Sequence, residues 1–318
     1  MKAILLGLLG ALFFSVTFIL NRSMEVSGGH WAWSASLRYF FMLPILILIV
    51  FFQGKLLPVL KHLRKNPLDW LLWSIIGFGF FYTPIAFATV YGPGWLVAAT
   101  FQITIVAGSL LVPFLNQIGK VSKKIPLASI LISLIILLGI FIMQFEHASN
   151  VPLRNVLLCV LPLIVSAFAY PLGNRKMMQI VGDSLTTMQR VLGMTIASMP
   201  LWVILAVYGG VVHGAPSTGQ VSQSFIVAIS SGVIATVLFF YATELVKDNP
   251  SKLAGVEATQ SGEVLFALIG EMLILQTALP SSLTILGMIL IIFGMILHSV
   301  YSALSTRRAM RMIETHHG

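Results

Sequence analysis

The sequence predicts an all-α integral membrane protein of ten transmembrane helices, arranged as two inverted five-helix repeats. Three observations predict it. Of 318 residues, 58% are hydrophobic and 9% charged, where a soluble domain carries about 25% charged residues, and mean hydropathy is +0.96. Apolar runs long enough to cross a bilayer recur from end to end, which leaves no room for a soluble domain. Paired features also recur between the two halves of the chain at a near-constant offset.

The same composition excludes other classes. A single cysteine, Cys159, rules out an intramolecular disulfide, and no Cys/His cluster has metal-ligand spacing. Nothing resembles a nucleotide-binding loop, so no cofactor, no metal and no ATP-driven transport by this chain alone is expected. The net charge of +9 sits in short loops between apolar runs, a topology signal and not a nucleic-acid surface. The first apolar run begins after one lysine and lacks a small-residue cleavage site, so it reads as a retained span.

Each span measures roughly 18–24 residues, the length a bilayer demands. The first five are Ala3–Leu20, Trp33–Phe52, Asp69–Val90, Trp95–Phe114 and Ile125–Phe145. The next five are Arg154–Leu172, Leu185–Tyr208, Ser224–Leu245, Lys252–Leu275 and Leu283–Tyr301. Trp31, Trp33, Trp70, Trp73 and Trp95 fall at span ends, where tryptophans anchor helices in the interface. Alternation of the loops tests the number. One side receives Lys2, Lys55, Lys61, Arg64, Lys65, Lys120, Lys123, Lys124, Arg175, Lys176, Lys247, Lys252, Arg307, Arg308 and Arg311, and the other only Arg22 and Arg154. By the positive-inside rule, both termini lie in the cytoplasm and the protein resides in the cytoplasmic membrane.

The repeat is read from matched features. Asn21-Arg22 follows the first span as Asn174-Arg175 follows the sixth, and Arg38 and Arg190 stand early in the second and seventh. Phe80-Phe81-Tyr82 in the third span matches Phe239-Phe240-Tyr241 in the eighth. Pro93 with Thr100 and Gln102 matches Pro250 with Thr259 and Gln260. These place one repeat at residues 1–145 and the second at 146–305, with a polar cytoplasmic tail, left irregular, at 306–318. An odd number of spans per half makes the second half enter from the opposite face, an architecture typical of secondary transporters whose site lies near the midplane.

These residues carry a resemblance. Ten spans in two halves, an arginine early in the second, a ninth ending LFALIGE and a tenth reading LTILGMILIIFGMIL are similar to the drug/metabolite transporter superfamily and its EamA-like members. Within it the chain most resembles the multidrug resistance efflux transporters. The resemblance covers about residues 3–305 and implies a ten-helix bundle around a central cavity with alternating access. It transfers no substrate. Four-helix relatives couple protons through a glutamate in their first span, whereas Ala11–Leu20 here holds no acid.

The chemistry concentrates in the ninth span, KLAGVEATQSGEVLFALIGE. At ~100° per residue, Glu257, Gln260, Ser261, Val264, Ala267 and Glu271 share one side, with Glu263 at its edge. Ionisable groups facing lipid cost several kcal/mol, so this stripe must face protein or water, as one wall of a substrate pathway. Glu263, near mid-membrane, reads as a proton or cation site; the plain alternative is a carboxyl that ties two helices together. Glu257 lies at the depth of Arg190, and a structural ion pair between them is the simplest reading. Glu271 is expected to hydrogen-bond the start of the next helix.

Gln102 and Gln260 face each other if the repeat holds, as ligand contacts or as glue between helices. Arg38 offers a site for a substrate anion or a gate, although an arginine near a helix end commonly snorkels. Tyr82, Tyr241 and Tyr170, with the neighbouring phenylalanines, offer an apolar wall or ring faces for a cation. Pro44 and Pro200 occupy comparable places and offer bends for gating, or plain kinks. Gly287 and Gly294 suggest a close helix contact, within the chain or in a homodimer. His298, alone in its span, reads as structural, and His316 and His317 fall in the tail.

The expected function is secondary transport of small organic molecules: efflux of cationic or zwitterionic amphipathic compounds by alternating access. Glu263 suggests a proton as coupling ion. The rival reading within transport is a narrow-specificity metabolite or amino-acid exporter. A membrane-embedded enzyme lacks any close set of catalytic groups, and a helix-packing partner without activity leaves the acids and amides unexplained.

Overall fold

The computed structural model describes residues 1–111, 127–148, 151–277 and 280–316, and among them every regular element is helical. In chain order these are α1 (Lys2–Val26), α2 (Trp31–Phe52), α3 (Leu56–Lys65), α4 (Pro67–Ala88), α5 (Gly94–Phe101), α6 (Ile103–Leu110) and α7 (Leu127–Ala148). They continue with α8 (Leu153–Val181), α9 (Thr187–His213), α10 (Thr218–Glu244), α11 (Pro250–Ala258), α12 (Gly262–Ile274) and α13 (Ser282–His316). Six of them, α1, α2, α4, α8, α9 and α10, are long and apolar enough to cross a membrane. Gly94–Gly108, Ile130–Glu146 and Ser282–Leu297 are shorter apolar helices.

Side-chain chemistry explains where several helices begin. Thr186 and Gln189 form a reciprocal capping box at α9, Ser217 Oγ accepts from Gln220 N at 3.1 Å, and Asn249 Oδ1 accepts from Lys252 N at 3.0 Å. Each satisfies amides that the first helical turn leaves without partners. Gly182 (φ +54°) and Gly214 (φ +85°) end α8 and α9 in conformations that a side chain resists.

Polar and charged side chains share the interior with a large apolar core, while many large apolar side chains face outward. Ser15, Asn21, Arg38, Gln102, Arg190, Glu257, Glu263 and Glu271 are buried, while Leu5, Leu138, Phe141, Ile204 and Val211 are exposed. Apolar side chains on the rim, with charged ones turned inward, suit a bundle solvated by lipid.

Four expectations are corrected. The sixth span was expected to end at Leu172, yet α8 runs on to Val181 and takes Arg175 into the buried interior. The connection after α2 is not plain loop: α3 lies there, with Val59 buried and the indole N–H of Trp70 donating to His62 Nδ1 at 2.9 Å. The tail expected to be irregular from residue 306 is helical to His316. The expected fourth and ninth spans are each divided, at Gln102 and at a 3₁₀ turn, Thr259–Ser261. The end of the fourth span at Phe114, the start of the fifth at Ile125, and Lys120, Lys123, Lys124 and His317 lie outside the described residues, as does the His298 side chain.

α4 and α10 share an unusual feature. Ile75–Gly79 and Ala228–Ala235 are π-helical, one within each. Each wide segment contains a glycine at a close approach: Gly77 meets the backbone of Gly173 on α8, and Gly232 meets Met42 on α2.

Gly287 and Gly294 serve a contact inside the chain. A Cβ on Gly287 would strike Met143 and the Gly139 carbonyl oxygen of α7, and one on Gly294 would strike Ile136. Small residues let the two backbones approach, the usual basis of helix pairing in lipid. Gly287→Leu is therefore expected to force α7 and α13 apart and destabilise the fold by about 1–3 kcal/mol. A fluorescence melt in detergent checks this, and an unchanged Tm would remove the contact from the account.

Candidate functional site

The two divided helices lie against each other. α5 packs on α12 and α6 on α11, so they run antiparallel and their breaks meet side by side. Hydroxyls bonded to their own backbone stand at both breaks. Thr100 Oγ1 donates to Leu96 O at 2.8 Å, Thr259 Oγ1 to Val256 O at 2.6 Å, and Ser261 Oγ to Ala258 O at 2.7 Å. Hydroxyls bonded back onto the preceding turn bend a helix. At Gln102 the backbone tightens: its N–H donates to Ala99 O at 3.1 Å, and Ile105 N–H donates to Gln102 O at 3.0 Å.

The breaks bring three predicted residues together. The amides of Gln102 and Gln260 flank the carboxyl of Glu263, which is 1% exposed. Gln102 Nε2 also donates to Ala98 O at 3.0 Å, leaving Oε1 without a partner. Neither Glu263 oxygen has a hydrogen bond of regular geometry. A buried polar group in that state costs about 1–3 kcal/mol, more if charged, so the arrangement calls for an explanation.

An aromatic cluster centred on Tyr170 lies within electrostatic reach of Glu263. Tyr170 of α8 is fully buried with its hydroxyl unbonded. Its ring centroid lies 4.3 Å from Phe81 and 5.6 Å from Phe239, and Phe14, Phe101 and Phe240 complete the cage.

Arg38 does not snorkel. It is 1% exposed, with its guanidinium 3.9 Å from the Tyr82 ring centroid. The Tyr82 hydroxyl pairs with Asn21, whose Nδ2 donates to it at 3.2 Å. Arg38 Nε and Nη1 have no hydrogen-bond partner. Because α2 begins at Trp31, Arg38 stands two turns inside and points to α4 and not to the helix end.

The other buried charged side chains among the described residues have partners, though not those expected. Glu257 binds Arg175 at 2.6 Å, not Arg190. Arg175 Nη1 also donates to Gly108 O at 2.5 Å, which ties α6, α8 and α11 together, and a Cβ on Gly108 would strike Glu257. Arg190 instead faces Glu244 at 3.5 Å, with its guanidinium 5.3 Å from the Phe240 ring. Glu271 accepts the amide of Gly94 at 2.7 Å, so it caps α5 and not the helix that follows it in sequence. Arg22, within electrostatic reach of Glu271, donates to Thr89 O at 2.8 Å.

Tyr241 stands apart from the centre. It is 39% exposed and lines a cavity of about 380 Å³ with Thr187, Met188 and Glu244. Sequence reading passed over Gly94, Gly108 and the pairing role of Arg175; the only signal for Arg175 was its place in the repeated Asn-Arg.

The chain matches a family model over residues 1–304, described as "EmrE: Putative multidrug resistance efflux transporter". It is 55% identical over 309 residues to "Uncharacterized protein YjlA" of Bacillus subtilis (strain 168), covering 95% of each chain. It is 50% identical over 267 residues to "Uncharacterized 42.1 kDa protein in intracellular alkaline protease 3'region" of Shouchella clausii, covering 83% of this chain and 70% of that one. A solved structure described only as "Crystal structure of protein" shares the fold at TM-score 0.66, with 16% identity over 98% of both chains.

Proposed function

This chain belongs to the EmrE-like multidrug resistance efflux transporter family, and we propose that it carries small organic molecules with a positive centre outward across the cytoplasmic membrane by alternating access. The observation that carries this reading is Glu263: an acid sealed in the bundle, without a regular hydrogen bond, where two broken helices cross. Half-helices meeting at a polar point are the form that substrate sites take in secondary transporters. A carboxyl there can hold a cation or exchange it for a proton, which gives alternating access its coupling.

The reading also takes the ten passes as two inverted halves, 1–145 and 146–305, with both termini cytoplasmic. Three features support this. The π segments begin at Ile75 and Ala228 and the breaks fall at Gln102 and Thr259–Ser261, each pair at corresponding places in the two halves. Arg38 and Arg190 each lie near a ring of the matched Phe-Phe-Tyr run, Tyr82 in one half and Phe240 in the other, though not at the same position of the run. Corresponding helices pack antiparallel, as opposite threading requires: α2 with α9 through Tyr39–Trp202 and Trp33–Gly209, and α7 with α13 through Gly139–Gly287 and Ile136–Gly294. In this frame Arg175–Glu257 closes the cytoplasmic end, and Arg22, Glu271 and Gly94 close the outer end. A homodimer would need a face other than the one carrying Gly287 and Gly294.

The test is flux in proteoliposomes with an imposed pH gradient and a panel of organic cations. Saturable movement of at least one of them, lost when the gradient is collapsed, is expected. No flux of any member in either direction would overturn the reading.

A further inference from the structure

Three hydrogen bonds tie the turn between α1 and α2 to the region where α9 gives way to α10. His213 Nε2 lies 3.0 Å from Gly28 O, Trp33 Nε1 donates to Gly214 O at 2.8 Å, and Gln220 Nε2 donates to His30 O at 2.8 Å. Within this strap the rings of His30 and His213 stack, with centroids 5.4 Å apart and planes at 28°. Trp31 and Tyr208 pack beside His30 at 5.5 and 5.8 Å.

His30 has a second task. Its Nδ1 accepts the amide of Ala32 at 3.3 Å, which caps the first turn of α2. A ring nitrogen accepts only without a proton, so the cap exists only while His30 is neutral. His213 is under no such constraint, because a backbone carbonyl accepts from its Nε2 in the neutral and the charged form alike. Glu25 of α1 also lies within electrostatic reach of His213 and offers it a counter-charge. One carboxylate thus serves two stacked rings. The titratable and charged groups around the stack are Glu25 and Arg22 on α1 and His213 and Tyr208 on α9; α10 contributes the uncharged Gln220. Partial burial, and then the neighbouring His213, hold the His30 imidazole below its ordinary value.

We propose that His30 is an acid-released latch: neutral, it caps α2 and holds the two turns together, and protonated, it gives up the cap and lets them part. A proton on Nδ1 sets one N–H against another, so the ring must turn away from Ala32. Turning it breaks the stack and loosens the backbone that carries the Gly28 and His30 carbonyls. The sign follows from the direction of the shift. A histidine held below its ordinary value stabilises the closed form fully above that value, about pH 6.5, and this contribution is lost as pH falls through the lowered value. In the proposed transport frame this end faces outward, so the latch answers to acid outside the cell. The latch itself does not depend on that reading.

Hydrogen exchange on the full-length protein in nanodiscs tests it, at about pH 7.5 and about pH 5, with rates corrected for the intrinsic pH dependence of amide exchange. Amides of residues 29–34 and 213–220 are expected to exchange at least about 10-fold faster at the lower pH, while those of 186–192, at the other end of α9, keep their corrected rates. His30→Asn retains a cap acceptor that takes no proton, and should stay protected at both pH values. His30→Ala lacks the cap and should be loose at both. The comparison on the unmodified protein stands even if a variant fails to fold. Equal corrected rates at the two pH values would overturn the latch. So would a pH response in His30→Asn as large as the parent's, or a loss of protection that extends equally to 186–192. Gradient-driven flux in proteoliposomes would leave the transporter reading standing in each of those cases.

Discussion

Glu263→Gln is expected to lower substrate flux by at least about 30-fold while leaving the folded protein as stable as before. The two effects separate because of what surrounds the carboxyl. The amides of Gln102 and Gln260 flank it, and a glutamine in its place can still accept from one of them while donating to the unpartnered Gln102 Oε1. The amide has nearly the shape of the carboxyl and carries no charge, so burying it costs no more than burying the acid. The loss falls on the substrate, whose positive centre loses a close charge partner worth about 2–5 kcal/mol in a buried site, with each 1.4 kcal/mol amounting to about tenfold. Glu263→Asp, which keeps the charge but shortens the reach, should retain part of the flux. Flux in proteoliposomes and melting in detergent read the two effects independently. Unchanged flux and pH dependence in Glu263→Gln would end the role given to this residue.

Arg175→Met is expected to produce the largest loss of stability of any single side-chain replacement considered. It strands the Glu257 carboxylate, which is 4% exposed, and leaves the Gly108 carbonyl without its donor. Breaking a buried pair from one side costs about 3–5 kcal/mol, whereas replacing both partners with apolar residues is often close to neutral. Arg175→Met with Glu257→Met should therefore recover most of the lost stability, an interaction that a double-mutant cycle measures directly. If the pair also closes the cytoplasmic end, the double variant should pass substrate down its gradient without coupling. A single variant that melts like the parent protein would show that the pair is not the staple described.

What could be read in advance depended on whether a signal lay along the chain or between its parts. Glu257, Gln260, Glu263 and Glu271 stood out because acids and amides in an apolar helix must turn inward, and all four are buried. Pairing was not legible. Arg190 lies at the right depth for Glu257, but depth says nothing of direction around the axis, and Arg190 faces Glu244 of α10. Arg175 was hidden for another reason: the apolar run stops at Leu172 while the helix continues to Val181. The breaks at Gln102 and Thr259–Ser261 leave almost no trace in hydropathy, since a threonine or serine is tolerated anywhere in a span. At these two places the hydroxyls bond back onto their own backbone where the helix breaks. Tyr82 and Tyr241 follow the same dipeptide, yet one lies beneath Arg38 and the other at a half-open rim.

The wide segments in α4 and α10 bear on how these helices tolerate change in length. Adding a residue to an ordinary helix turns everything beyond it by ~100°. A π turn takes up the surplus locally, so the flanks keep their orientation. Ile75–Gly79 and Ala228–Ala235 thus act as slack, and shortening either by one residue should leave Tyr82 and Phe240 aimed as they are now. The same deletion in the regular turns of α2 would swing Arg38 away from Tyr82.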